Sequence, residues 1–297
     1  MISLLDPRPG QTFVDSTAGG GGHSALIGER IKNGTLVAID QDPEALAAAR
    51  EKLYHLSPKI VLIHGNFRNL TALLDEAGIG LADGVLFDLG VSSRQFDSAE
   101  RGFSFRADAP LDMRMDPTAG MPASEMIARL DRSEITRILR DYGQERWAAR
   151  IAQFIEERGP IATTKDLVDV VEAAIPRKAW PKDIHPATRT FQAIRIAVND
   201  ELGALEEGLK AGIDRLSVGG RIAAISFHSL EDRIVKQMFL RYSGRCECPP
   251  RLPECRCGAR QVVKILTRKP VTAADGEVQS NPRSRSAKLR AAEKTAL

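Results

Sequence analysis

Thr12-Phe13-Val14-Asp15-Ser16-Thr17-Ala18-Gly19-Gly20-Gly21-Gly22-His23 joins a short apolar run to four consecutive glycines. The run from Thr12 to Asp15 reads as a buried strand ending in a carboxylate, and residues 24–31 read as a short helix. A strand that turns through glycines into a helix brings bare backbone close to a ligand. No Cβ intervenes, positive φ is permitted, and the helix offers unpaired N–H groups and the positive end of its dipole. After the turn Asn33-Gly34, Leu36-Val37-Ala38-Ile39-Asp40 forms a second apolar run; Pro43 suits the first turn of a helix continued by residues 44–53. Ile60-Val61-Leu62-Ile63, residues 70–76 and Gly84-Val85-Leu86-Phe87-Asp88 continue as strand, helix and strand. Unbroken apolar runs alternating with helical patterns predict a parallel, doubly wound α/β sheet.

The rhythm then changes. Between about residues 108 and 205 no comparable apolar strand occurs, and residues 132–141, 145–157, 164–174 and 188–207 carry helical patterns. Strand character returns at 220–227 and 261–266. The expected organisation is an α/β domain in two parts, 1–107 and 206–297, interrupted by an inserted all-helical domain, 108–205, that reads the substrate. Residues 245–258 form a loop between the last two strands, and there is no internal repeat.

The 297 residues, 43% hydrophobic and 27% charged, suit one large soluble domain with an insertion. No apolar run approaches the ~18–20 residues that span a bilayer, and MISLLDPRPGQ has no secretory pattern. A cytoplasmic chain without a membrane partner is expected; self-association into a homodimer is left open. Net charge is only +3, but after Asn281 come Arg283, Arg285, Lys288, Arg290 and Lys294 against Glu293 alone. Such a basic tail either follows a phosphate backbone, with Arg283 and Arg285 as contacts, or is simply solvated. The four cysteines, Cys246, Cys248, Cys255 and Cys257, are spaced C-x-C and C-x-C, not in the C-x-x-C pairs of most zinc ribbons. No metal is expected; zinc on these four thiolates is the alternative.

Two cofactor classes fit the glycine turn. Gly20-x-Gly22-x-x-Ala25 satisfies the G-x-G-x-x-A form of a dinucleotide site, which would make the chain a nicotinamide-dependent oxidoreductase. Against this, Asp15 places a negative charge before the glycines, where a cationic methionine moiety fits better than a pyrophosphate. Asp88-Leu-Gly-Val-Ser-Ser also offers a polar loop for a methyl acceptor. Asp40, ending the second strand, suits the ribose hydroxyls of an adenosine, and Phe67 lies where an adenine would pack.

Several blocks resemble the RsmH (MraW) family. They are Val14-Asp-Ser-Thr-Ala-Gly-Gly-Gly-Gly-His-Ser24, Ala38-Ile-Asp-Gln-Asp-Pro43, Leu86-Phe-Asp-Leu-Gly-Val-Ser-Ser93 and Glu100-Arg-Gly-Phe-Ser-Phe105. Pro110-Leu-Asp-Met-Arg-Met-Asp116, His185-Pro-Ala-Thr-Arg-Thr-Phe-Gln192, Ile225-Ser-Phe-His-Ser-Leu-Glu-Asp-Arg233 and Asn281-Pro-Arg-Ser-Arg-Ser-Ala-Lys-Leu-Arg290 continue the likeness in order along the chain. The resemblance implies a Rossmann-like S-adenosylmethionine-dependent methyltransferase domain with an inserted helical domain. It implies methylation of the exocyclic N4 of a cytidine in the decoding region of 16S rRNA, within the small ribosomal subunit. It assigns S-adenosylmethionine contacts to Gly21, Gly22, His23, Asp40, Phe67, Asp88 and Gln95. Members of the family open with an H-x-P-V-L-L-like stretch, whereas this sequence opens at Met1-Ile-Ser-Leu-Leu.

Within that reading Asp88 either accepts a hydrogen bond from the reacting amino group or binds the cofactor. Ser92 orients the base, and Phe103 or Phe105 stacks on a flipped cytidine or belongs to the core. His228 lines the RNA cleft or is structural. Arg189 and Arg195 contact phosphates or pair with nearby acids. A non-catalytic RNA-binding assembly factor on the same fold is the remaining alternative.

Overall fold

A computed structural model gives the fold and describes residues 1–246, 248, 256 and 259–296. In chain order, α1 (Ile2–Leu5) precedes β1 (Thr12–Asp15), α2 (Gly22–Ile31), β2 (Thr35–Asp40), α3 (Pro43–Leu53), β3 (Lys59–His64), α4 (Leu70–Glu76) and β4 (Ala82–Asp88). A helical stretch follows: α5 (Ser93–Asp97), α6 (Ala123–Arg129), α7 (Arg132–Asp141), α8 (Ala148–Arg158), α9 (Thr164–Ala174) and α10 (Thr188–Asn199). The chain then runs through α11 (Glu201–Asp214), β5 (Leu216–Ser226), α12 (Ser229–Tyr242), β6 (Val263–Ile265), β7 (Val271–Thr272), α13 (Asp275–Ser280) and β8 (Lys288–Lys294). No helix among the described residues is long and apolar enough to cross a membrane.

Two compact units result, one of residues 1–90 with 202–297 and one of residues 91–201. The first holds a sheet ordered β3-β2-β1-β4-β5-β8-β6, with β7 beside β8. β3, β2, β1, β4 and β5 are parallel, whereas β8 runs antiparallel to β5, β6 and β7. The apolar runs become its inner strands because both faces are covered: Phe13, Val14, Leu36, Ile39, Val85, Leu86 and Phe87 are all fully buried. One face packs Leu205, Leu209 and Ile213 of α11 with Val235 and Phe239 of α12; the other packs Ile27 and Ile31 of α2 with Ala49 and Leu53 of α3.

The basic tail is not a tail. Residues 288–294 form β8, between β5 and β6, and residues 289–292 are buried. Burying the cations is possible because each has partners. Arg290 is held by Asp232, and Lys294 Nζ donates to Ile213 O at 2.6 Å, its pKa lowered by burial. Of the cations after Asn281, Arg283 and Arg285 in the 3-10 turn Pro282–Ser286 are exposed, and Lys288 is half-buried.

The second unit is helical, with its own core built on Leu139, Ile151, Val171 and Ile194. Sequence-local capping starts three of its helices: Ser92 with Gln95 before α5, Asp131 with Glu134 before α7, and Thr163 with Asp166 before α9. Residues 91–107 group with this unit rather than with the α/β part, because Phe103, Phe96 and Phe105 pack into its core. The helix expected over 188–207 is broken. Asn199 turns its carboxamide to the backbone of Met113 and Met115, and Asp200 takes a left-handed φ of 45° that ends α10. Of the cysteines, Cys246 is exposed and Cys248 half-buried; Cys255 and Cys257 lie outside the described residues.

Candidate active site

β2, β1 and β4 are neighbours and parallel, so their terminal carboxylates Asp40, Asp15 and Asp88 lie along one edge of the sheet. The chain builds outward from β1 to β3 and then crosses to β4, which makes the β1–β4 junction the switch point where such sheets bind ligands. Here residues 16–19 are tied to the ends of two strands, β2 and β4. Ser16 N donates to Leu86 O at 2.9 Å, Ala18 N to Ile39 O at 2.9 Å and Gly19 N to Asp40 Oδ2 at 2.7 Å. Asp88 N donates to Thr17 Oγ1 at 2.6 Å. Gly21 has a φ of +78°, and a Cβ there would meet Ala49 at 3.2 Å; Cβ atoms on Gly20 or Gly22 would meet nothing within 4 Å. The turn is therefore fixed from below and open above.

The three carboxylates differ in environment. Asp15 is fully buried, accepting from Ser24 Oγ at 2.6 Å and Thr17 N at 3.2 Å, and burial raises its pKa. This corrects the expectation that its charge faces a ligand: the group braces the glycine turn from inside. Asp40 accepts from Gly19 N and, at 2.9 Å, from Asp42 N, one bond per oxygen. Burial pushes its pKa up to about 6 despite those two bonds. One lone pair on each oxygen is left for further donors.

Asp88 is the most open, with a third of its side chain exposed, and its Oδ2 lies 3.4 Å from His23 Nε2. The Asp88 bond raises the His23 pKa, with burial opposing it. Asp88 Oδ1 and His23 Nδ1 are both buried without a hydrogen-bond partner. Two unpartnered polar atoms beside an open glycine turn mark a ligand site.

Beyond β2, Asn66 Nδ2 donates to Gln41 Oε1 at 2.8 Å, and His64 Nε2 lies 3.0 Å from Gln41 O. The polar residues after Asp40 thus form a small connected wall that sequence reasoning missed, although Gln41 stands next to the carboxylate it singled out. Phe67 follows, its ring edge-on to Phe87 at 5.5 Å and so close to α11 that a Cβ on Gly208 would come within 2.6 Å of it. It is half-buried, with part of its ring in the core.

The remaining candidates are placed less openly than the sequence suggests. Ser92 and Gln95 form a capping box at the start of α5, and Gln95 Nε2 also donates to Met115 O at 3.3 Å. Phe103 is 6% exposed within the helical core, so it offers no free face for a base. Phe105 packs on Phe191 and His185. Arg195 takes the acid-paired alternative, with Nε and Nη2 on Glu201 at 2.8 and 2.9 Å. Arg189 is exposed, with a 3.4 Å bond to Gln144 O. His228 caps α12, its Nδ1 accepting from Glu231 N at 3.4 Å.

The chain is 54% identical to a ribosomal RNA small subunit methyltransferase H of Heliobacterium modesticaldum, over 99% of this chain and 96% of that protein. Proteins of the same name from Pelobacter propionicus and Geobacter sulfurreducens are each 53% identical, again over 99% of this chain and 96% of theirs. The model of the MraW methylase family matches residues 1–295. With the glycine turn, the switch point and three strand-end carboxylates in one Rossmann-like sheet, the chain belongs to the MraW methylase family.

Proposed function

We propose that this protein is a cytoplasmic enzyme that transfers the methyl group of S-adenosylmethionine to the exocyclic N4 of a cytidine. The target lies in the decoding region of 16S rRNA within the small ribosomal subunit. Membership of the methylase family and the name of the relatives support the reaction class and the RNA. The observation that carries the reading is Asp88, whose Oδ1 stands buried and unpartnered beside the glycine turn at the switch point.

The residues fit the cofactor. The turn is open at Gly20 and Gly22 and so admits a ligand against backbone, with Gly21 and Gly22 the contacts assigned by resemblance; the free lone pairs of Asp40 suit two ribose hydroxyls, and His23 Nδ1 and Asp88 Oδ1 are polar atoms awaiting partners. Phe67 supplies an apolar edge for the adenine, and Gln95 is a contact assigned by resemblance. When bound, the cofactor supplies an electrophilic methyl group on a sulfonium.

Cytosine N4 is a poor nucleophile because its lone pair is delocalised into the ring. Asp88 counters this by accepting a hydrogen bond from the amino group, which favours the pyramidal form, while His23 holds the other carboxylate oxygen. Positioning supplies much of the remaining rate, by removing the entropy cost of an encounter. The helical unit, 91–201, is the substrate reader in this proposal, with Ser92 and Arg189 as contacts. A dinucleotide-dependent oxidoreductase finds no support in a methylase family match.

Incubating unmodified small subunits with isotopically labelled S-adenosylmethionine and mapping the nucleoside tests the proposal. Label on N4 of one decoding-region cytidine is expected. Label on another atom or nucleotide overturns the site, and no label at all favours the non-catalytic assembly factor.

A further inference from the structure

Residues 233–269 hold ten Lys and Arg, namely Arg233, Lys236, Arg241, Arg245, Arg251, Arg256, Arg260, Lys264, Arg268 and Lys269, against Glu247 and Glu254. This stretch is +8 (ten minus two) in a chain of net +3, so the other residues sum to −5. The concentration of positive charge lies here rather than at the C-terminus, and the sheet explains why: the C-terminal cations Arg290 and Lys294 are buried in β8, whereas Arg233, Lys236, Arg241, Arg245, Arg260 and Lys264 are exposed.

Part of this charge is gathered around a cleft of about 510 Å³ in the α/β unit, between α11 and the end of α12. Lys210, Arg241, Arg245 and Arg260 line it, with Tyr242 and Met238 as its apolar floor. Glu206 and Glu207 also line it, but Glu207 is drawn to Arg68, 3.5 Å away. Among the described residues no carboxylate pairs with Lys210, Arg245 or Arg260. Tyr242 is half-buried, so its ring is held by packing while the cleft stays open.

The cleft is remote from the candidate active site. α12 starts just beyond the carboxyl end of β5 and runs back along the sheet. At 1.5 Å per residue, Tyr242 lies roughly 20 Å from that edge. Nothing in methyl transfer uses these cations.

We propose that this cleft is a second RNA-binding surface, which grips the phosphodiester backbone of the rRNA away from the nucleotide being methylated. Four cations around an amphipathic floor complement phosphates with sugar and base edges between them. Arginines suit the bidentate geometry of phosphate. A large structured RNA reaches 20 Å beyond its target nucleotide without distortion, and neutralising phosphates adds affinity that does not depend on sequence. The inference rests on the rRNA reading above.

The test is a Lys210→Glu, Arg245→Glu, Arg260→Glu triple variant, with Arg245→Lys, Arg260→Lys as the charge-retaining control. All three sites are exposed, and thermal melting checks folding. Readouts are binding to a fluorescent protein-free 16S rRNA fragment across a salt series, S-adenosylhomocysteine affinity, and KM and kcat on small subunits.

The expected result is at least tenfold weaker rRNA binding, with a salt slope shallower by about two to three, near one per lost phosphate contact. KM should rise by a similar factor with kcat and S-adenosylhomocysteine affinity unchanged, and the lysine control should keep the wild-type salt slope with a smaller loss of affinity than the charge-reversed variant. Unchanged rRNA affinity and slope overturn the proposal, as does a loss seen only on whole subunits, which would indicate an acidic protein surface. Failure of the wild-type chain to methylate any subunit would refute the functional reading instead, while the binding measurement would still decide the cleft.

Discussion

Arg290 grips Asp232 with two hydrogen bonds, Nε to Oδ1 at 2.7 Å and Nη2 to Oδ2 at 3.2 Å, and so ties β8 to α12. The side chains are 8% and 15% exposed. Removing one partner strands a buried charge, and Arg290→Ala should destabilise the chain by about 3 kcal/mol, the lower end for a broken buried pair. Burial opposes ionisation of Asp232, but the Arg290 bond and the charges of Arg290, Lys288 and Lys236 outweigh it and lower its pKa. The pair's contribution is therefore present above the ordinary carboxylate value and lost as pH falls through the depressed one. Urea unfolding of both single variants and the double variant measures it; additive losses would show that the pair is not coupled.

Deleting residues 282–297 should abolish folding rather than RNA binding alone, because it removes the strand between β5 and β6. Arg283→Ala with Arg285→Ala should instead leave the melting temperature within a few degrees and reduce the salt slope of rRNA binding by up to about two. A soluble, cooperatively melting truncation would contradict the placement of β8.

Asp40 makes cofactor affinity depend on pH. Burial raises its pKa from 3.8 to about 6, so protonation favours the free folded chain. That contribution is complete below pH 3.8 and lost as pH rises through 6. Ribose hydroxyls need the ionised form, so S-adenosylhomocysteine affinity should fall, by at most about tenfold per pH unit, as pH drops below 6. Asp40→Asn should weaken binding and flatten the profile. Calorimetric titration between pH 5 and 8 decides it, and an unchanged slope in the variant would assign the dependence elsewhere.

Asp88→Asn should lower kcat by roughly 10²-fold or more, the scale of losing a positioned proton-accepting group, with a smaller change in KM for small subunits. His23→Ala should chiefly weaken cofactor binding. The Asp88 bond raises the His23 pKa, so the charged pair stabilises the fold fully below 6.5 and loses that contribution as pH rises through the raised value. Single-turnover rates with saturating cofactor separate the two effects. If Asp88→Asn lost only cofactor affinity, Asp88 would be a binding residue and not a catalytic one.

The parallel part of the sheet was legible because each strand carries its own apolar run; Thr12–Asp15 is bounded as the sequence predicts. β8 was not, since Lys288, Arg290, Glu293 and Lys294 read as a solvated charge run until tertiary partners are known. The same holds for Phe103: an aromatic between charged residues looks available, and only the helical core shows that it is covered. Asp40 and Asp88 were legible from position alone, because a strand's last residue in a parallel sheet faces the ligand edge. Asp15 shares that position yet turns inward, where Ser24 in the first turn of α2 donates a hydrogen bond to it.

The discontinuity of the α/β unit sets an order of assembly. β4 pairs with β5 across residues 89–215, and the loop to be closed is costly while that stretch is unstructured. The helical unit lies inside that stretch, and its principal contacts, α7 with α8 and α8 with α9, join helices adjacent in sequence, the kind that form fast. The insertion can therefore collapse first and shorten the search that brings β5 to β4. A lesion in its core at Leu139 or Ile151 would then delay closure of a sheet that neither residue belongs to, and lengthen the time during which the edge of β4 is open to pairing with another nascent chain.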